Sequence, residues 1–300
     1  MKNQFLLLLI SAAVFTFSCQ SGKKGDGSEK AVEVDSASLS ASPVSLEKKW
    51  ESDTLLTTVE SVIYNAEKNV IYAACMSGEA DVKDGVGFIA QLDKEGNILS
   101  TDWVTGLNAP KGMAIHDGKL FVTDIDVIVE IDIEQGKVVK TYAVEGAEFL
   151  NDADVDAAGN VYVSAMRTSR LIKLSNGEVS VFLDSVAIPN GVFVEGGDLL
   201  TAYWDEQKIK RINISTKEVT EIAGGIENPD GIKAVGDGGY LVSSWNGKVT
   251  YVSKDGETFL IMDTTEEGVS AADIEYIPEL KLLLVPTFYG NNVVAYELKN

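Results

Sequence analysis

One pattern, repeated six times, constrains this sequence more than any other feature. The segments KGMAIHDGKLFVTD from Lys111, NDADVDAAGNVYVSA from Asn151, NGVFVEGGDLLTAY from Asn190 and DGIKAVGDGGYLVSS from Asp230 align with one another. ESVIYNAEKNVIYAA from Glu60 and ADIEYIPELKLLLVP from Ala272 complete the set. Each unit opens at one position, polar in all but the last. A short alternating strand follows, then a turn of Gly, Asp or Asn, then a second strand rich in Val, Leu, Tyr and Ile. Most units add a third strand, such as VIVEIDI, RLIKLS, KIKRIN or VTYVS, and a fourth, such as VVKTYAV, VSVFL or VTEIA. Four short strands recurring about every 40 residues make a propeller blade. A helical solenoid would need apolar residues at three-to-four spacing over a dozen positions, which these units lack.

The last unit stops after three strands, at NNVVAYELKN, so its fourth must come from elsewhere. The segment LEKKWESDTLLTTV, before Glu60, is strand-like and belongs to no unit. Pairing it with the sixth blade closes the ring and removes open edges that would template aggregation. The expected fold is all-β: a six-bladed β-propeller of four-stranded blades over residues 46–300, its last blade closed by an N-terminal strand. One domain of roughly 250 residues is within the range such folds reach.

The chain before residue 46 reads differently. Lys2 precedes an apolar run, Phe5 to Phe17, that is short for a membrane span and has the length of a signal-peptide core. It ends at Ser18-Cys19, a small residue followed by cysteine, as in bacterial lipoprotein signals. Residues 1–18 are therefore read as a lipoprotein signal peptide and Cys19 as the lipidated first residue, with a plain secretory signal as the alternative. Residues 19–45 are rich in Ser, Gly, Lys and Glu and poor in aromatics, the composition of a flexible tether. The expected location is the cell envelope, periplasmic or outer membrane, with the lipid anchor as the membrane contact.

A formal net charge of −21 with no basic run after the signal argues against nucleic-acid binding. The acidity suits cation attraction and serves solubility equally. Cys75, in NVIYAACM, has no partner for a disulfide or thiolate site and reads as a small buried hydrophobe. A monomer acting on a small molecule is the expected state.

The first residue of each unit begins the strand that lines the central tunnel, so six residues form a ring at one mouth: Glu60, Lys111, Asn151, Asn190, Asp230 and Ala272. Glu60, Asn151, Asn190 and Asp230 supply oxygen donors without His or Cys, which suits Ca2+ first, and Mg2+ or Mn2+. The alternative is that they merely start strands, since Asn-Gly and Asp-Gly are common turn dipeptides. Lys111 either neutralises the ring by pairing with Glu60 or Asp230, or orients an anionic substrate. Asp152, Asp154 and Asp156 alternate like the start of an EF-hand, but Ala157 and Val163 stand where that loop needs Gly and Glu. The single histidine, His116, falls in a turn on the opposite face, which leaves no Ser-His-Asp or Cys-His arrangement.

Glu60 in TVESV, Asn151 in LNDADVDAAG, Asn190 in IPNGV and Asp230 in NPDGI resemble the metal-pocket motifs of a known propeller family. That family is the gluconolactonase, senescence-marker-protein (regucalcin) and luciferin-regenerating-enzyme group. The resemblance covers residues 46–300, and its Pro-Asn-Gly and Pro-Asp-Gly turns are its distinctive part. Ser61-Val62 depart from the Gly-Pro that often follows the family's Glu. The resemblance implies hydrolysis of a lactone or related ester, with a divalent metal as Lewis acid, Glu60, Asn151 and Asn190 as ligands and Asp230 as ligand and general base. Loops opening on the same face supply candidate substrate walls: Met76 and the insertion SGEADVKDGVG, Asp124 and Asp126, Arg167, Tyr203 and Trp204, Trp245, and Phe288 and Tyr289. Aromatic rings there stack on a substrate ring or pack between blades, and Arg167 suits a carboxylate or phosphate. A non-catalytic binding propeller is the alternative function.

Overall fold

The computed structural model describes residues 41–300, which form six four-stranded antiparallel sheets. The signal peptide, Cys19 and most of the tether lie outside the described residues. Blade 1 contains Val59–Asn65, Val70–Cys75, Gly87–Leu92 and Ile98–Leu107, in that order from the tunnel outward. The innermost strands of blades 2 to 6 are Pro110–His116, Leu150–Val155, Pro189–Glu195, Pro229–Ala234 and Glu275–Ile277.

The outermost strand of blade 6 is Ser45–Glu51, which pairs antiparallel with Val293–Lys299. The ring is thus closed by the N-terminal strand as the truncated sixth unit requires. Ser52 reinforces the closure, donating its N–H to Val293 O at 2.9 Å and accepting the Val293 N–H on Oγ at 3.1 Å.

Alternation along each strand sends successive side chains to opposite faces, and each face meets a neighbouring blade. In Val70–Cys75 of blade 1, Ile71, Ala73 and Cys75 pack with Leu284, Val293 and Ala295 of blade 6. Tyr72 and Ala74 instead join Met113, Leu120 and Val122 of blade 2. Each fully buried Val, Leu or Ile contributes about 1.5–3 kcal/mol, so these contacts between blades carry the hydrophobic stabilisation. Cys75 is fully buried in this layer, and burial pushes its thiol up, consistent with a packing role.

Around the tunnel the blades approach too closely for side chains. A Cβ on Gly191 would sit 1.8 Å from Asp230 O, one on Gly112 would lie 2.4 Å from Asp152 Cα, and one on Gly231 would lie 2.6 Å from Ile274 N. The Lys-Gly, Asn-Gly and Asp-Gly pairs of the repeat are therefore strand starts at which the next blade is admitted, not turns. Asp152 and Asp154 use the same proximity. Their carboxylates accept the N–H groups of Val192 and Val194 on the next blade, each at 2.7 Å, which ties blade 3 to blade 4.

Gly191→Ala is expected to abolish the cooperative urea transition of the folded protein. Gly197→Ala, where an added Cβ meets nothing within 4 Å, should change stability by no more than about 0.5 kcal/mol. Asp152→Ala strips acceptors from the buried Val192 and Ala153 N–H groups and should cost about 2–4 kcal/mol in the same assay, with Asp152→Asn closer to the parent.

Candidate functional site

The innermost strands share an irregularity that builds the site. In blades 2 to 5, pairing with the second strand is lost between Pro110 and Met113, Leu150 and Ala153, Pro189 and Val192, and Pro229 and Ile232. The same happens between Val59 and Ser61 of blade 1. A bulge releases a residue from the ladder and re-aims its side chain. The released residues include Glu60, Lys111, Asn151, Asn190 and Asp230, and all five line one cavity of about 280 Å³ at the tunnel mouth. Each is buried, with Lys111 and Asn190 only 1% exposed.

Second-strand hydroxyls fix these bulges. Thr123 Oγ1 donates to Asn151 O, Ser164 Oγ accepts the Asp152 N–H, and Ser243 Oγ accepts the Gly231 N–H while donating to Ala272 O. The recurring Val-Thr or Val-Ser before the end of the second strand was a readable signal for this support, and the sequence reading missed it.

The polar floor is only partly satisfied. Asn151 Nδ2 donates to Asn190 Oδ1, and Asn190 Nδ2 donates to Pro229 O at 3.2 Å. Glu60 Oε2 and Asp230 Oδ1 are buried without a hydrogen-bond partner. Such orphaned carboxylate oxygens are costly unless a cation or proton meets them. Burial raises the Glu60 carboxyl well above its ordinary value, and the charges of Asp230 and Asp273 add to this while Lys111 opposes it. Burial and then Asp273 raise Asp230 likewise, against the Asn190 amide.

Lys111 does not bridge these acids. Its Nζ donates to Ala80 O at 2.9 Å and Ala109 O at 3.0 Å, and lies 4.4 Å from the centre of the Phe149 ring. Burial depresses its pKa to about 8, although Glu60 and Asp124 favour the charged form.

The donor set fits a hard cation: two carboxylates with free oxygens, flanked by two amides and no sulfur or imidazole. Among the described residues no group of three or more His, Cys, Asp or Glu side chains is arranged to hold a metal. Any cation at this mouth would thus depend on the amide oxygens of Asn151 and Asn190 beside Glu60 and Asp230.

Of the candidate wall residues, Trp204, Trp245, Met76 and Phe288 line the cavity. Ala80, from the insertion expected at the wall, joins them, as do Phe149 and Met166, which the sequence pattern does not single out. Tyr289 is 67% exposed and stands on the rim, edge-on to Trp245 and Phe288. Tyr203 points into the core between blades 3 and 4 with Tyr162 and Leu171. Arg167 lies outside the cavity, engaged with Asp81 at 2.8 Å and stacked over Phe149. His116 lines a separate cavity at the opposite mouth.

The blade 1 insertion spans the site mouth. Beyond Lys111–Ala80, it is tied to blade 3 by Asp81–Arg167 and to blade 2 by Lys83–Asp126 at 2.6 Å. Deeper in the tunnel lies a set of residues absent from the sequence reading. Asp273 accepts Ser61 Oγ–H at 2.7 Å on one oxygen while the other is buried and unpartnered. Lys233 pairs with Glu275 at 3.2 Å. Asp273 directly follows the apolar ring position Ala272, so its place in the tunnel became evident only from the register of blade 6.

No family model matches the chain, and no curated protein is similar to it in sequence. Solved structures share its fold. A catalytically inactive variant of virginiamycin B lyase from Staphylococcus aureus, with quinupristin, aligns at TM-score 0.60 and 13% identity, covering 85% of this chain and 99% of that one. A chain of the nidogen/laminin complex aligns at TM-score 0.55 and 15% identity, covering 69% of this chain and 84% of that one. At such identities the likeness is one of fold: the chain is a six-bladed propeller, and the lactonase-family resemblance rests on its motifs alone.

Two outcomes test this geometry. Acids whose pKa is raised on folding stabilise below their unfolded values, and that contribution is lost as pH rises through the folded value. In chelator, the unfolding free energy should therefore fall as pH rises above the ordinary carboxylate range of about 4, and Ca2+ at 100-fold excess over its Kd should restore about 2.7 kcal/mol. Arg167→Ala should leave stability within about 1 kcal/mol, since its pair is half exposed, yet speed proteolytic nicking between Ser77 and Val86.

Proposed function

We propose that this protein is a metal-dependent hydrolase of a lactone or related ester. The observation that carries the reading is the pair of buried, unpartnered carboxylate oxygens, Glu60 Oε2 and Asp230 Oδ1, beside two amides in a cavity at the tunnel mouth. The motif resemblance to the gluconolactonase and senescence-marker-protein family supports it.

Glu60, Asn151, Asn190 and Asp230 would hold the cation, Ca2+ first and Mg2+ or Mn2+ as alternatives. When bound, the ion supplies Lewis acidity toward a carbonyl oxygen and makes water a better nucleophile at neutral pH. Asp230 takes the proton of the attacking water, since a neighbouring cation keeps its carboxylate ionised despite burial. Lys111, held by two carbonyls, orients the polar end of the substrate. Phe149, Trp204 and Trp245 keep bulk water from the reacting group.

A non-catalytic ligand-binding propeller is the second reading, favoured by the apolar walls of the cavity. The protein would act as a lipid-anchored monomer in the cell envelope, on a small molecule and not on nucleic acid.

Lactone hydrolysis should be abolished by chelation and restored by a divalent ion retained on the protein. Asp230→Ala should lower kcat/KM by about 10²- to 10⁴-fold, the range of general acid–base contributions. Absence of turnover in a protein that retains no metal removes the enzymatic reading in favour of the binding one. Cys19→Ala should move the chain from the membrane to the soluble fraction, and an unchanged distribution would count against the anchor.

A further inference from the structure

The walls above the polar floor are unsuited to a sugar. Phe149, Met166 and Trp204 form one side, while Trp245, Phe288 and Met76 form the other. Ala80, on the insertion tied across the mouth, adds only a methyl group and a carbonyl that Lys111 already occupies. Among the described residues lining this cavity, the two indole N–H groups are the only side-chain hydrogen-bond donors above the floor. No wall residue is charged. Arg167 is paired with Asp81 and stacked over Phe149, beside an adjoining cavity that shares Phe149, Met166 and Trp204 with this one.

From this division we infer that the substrate is an apolar lactone or ester, one whose ring bears an alkyl or aryl group, and not a polyhydroxylated sugar lactone. The inference rests on the hydrolase reading for the reaction, and on the cavity alone for the ligand class. A single ester group is matched to the floor, where the orphaned carboxylates, the amides and Lys111 converge. The remainder of the ligand meets thioether and aromatic surfaces, which reward apolar contact. A sugar lactone would bury hydroxyls against those surfaces without partners, and each unpaired hydroxyl lowers binding by about 5- to 150-fold. At about 280 Å³ the cavity lies just below the usual range of ligand pockets, roughly 300–1,000 Å³, which suits one ring with a short substituent.

The test compares two lactones of equal ring size on the full chain with Ca2+: a δ-lactone bearing an alkyl chain and glucono-δ-lactone. Binding is read separately from turnover by tryptophan fluorescence, titrating with the corresponding lactams, which contact the same floor and resist hydrolysis. The expected result is a kcat/KM at least about 100-fold higher for the alkyl lactone, with the alkyl lactam binding correspondingly tighter than the sugar lactam. Phe149→Asn and Phe288→Asn should narrow that ratio from the apolar side, and a retained thermal transition shows that they fold. Tight alkyl-lactam binding without turnover of either lactone would sink the hydrolase reading and leave the ligand class standing. Preference for the sugar lactone or its lactam, or no binding of either lactam, would overturn the inference.

Discussion

The structure depends on the pairing of Ser45–Glu51 with Val293–Lys299, because a ring of blades has no interior until it is closed. Each blade buries one face on the blade before it and the other on the blade after, and an unclosed array would expose two apolar sheet faces. Closure joins residues about 250 positions apart, so it is a long-range contact that must overcome a large loop entropy. The local reinforcement by Ser52, which binds Val293 through both backbone and side chain, sits at the end of that pairing where fraying would begin.

Closure sets the diameter of the tunnel, and the diameter explains the inner strands. Once six strands converge, their starts lie so close that Gly112, Gly191 and Gly231 admit no side chain, while the preceding residues are displaced from the ladder into the mouth. The site is therefore a product of the same crowding that forces glycine into the repeat. Hydroxyls on the second strands and the carboxylates of Asp152 and Asp154 satisfy the backbone groups that the bulges and the close approach leave without ladder partners. Glu60 and Asp230 each keep an oxygen outside this network of internal hydrogen bonds. Asp273 does the same deeper in the tunnel, but Glu60 and Asp230 do so while lining the cavity at the mouth, where a ligand can reach them.

The mouth also divides its chemistry by depth. The floor is polar and comes from the first residue of five of the six units, and the walls are apolar and come from the loops after the second strands, with Phe149 added from just before the first strand of blade 3. The insertion between Ser77 and Val86 is fastened across this mouth by contacts to blades 2 and 3. Arg167 spends its charge on that fastening and on Phe149, which leaves the cavity walls uncharged.

The sequence by itself determined the number of blades, the strand count and the origin of the closing strand, because period-2 alternation and turn residues recur at a fixed interval and the last unit is visibly short. It also determined which residue of each unit reaches the mouth, since that residue holds one place in the repeat. Only the tertiary structure decided the partners. Whether Lys111 meets carboxylates or carbonyls, whether Arg167 faces the cavity or Asp81, and whether Tyr203 lines a pocket or a core all depend on contacts between different blades. Asp273 illustrates the reason. Its repeat position is held by Ser61, Asp152 and three glycines in the other units, and only the convergence of six strands brings it within reach of Asp152, Glu60 and Asp230. A one-dimensional repeat records which face each residue takes, while distances across the tunnel are fixed by closing the ring.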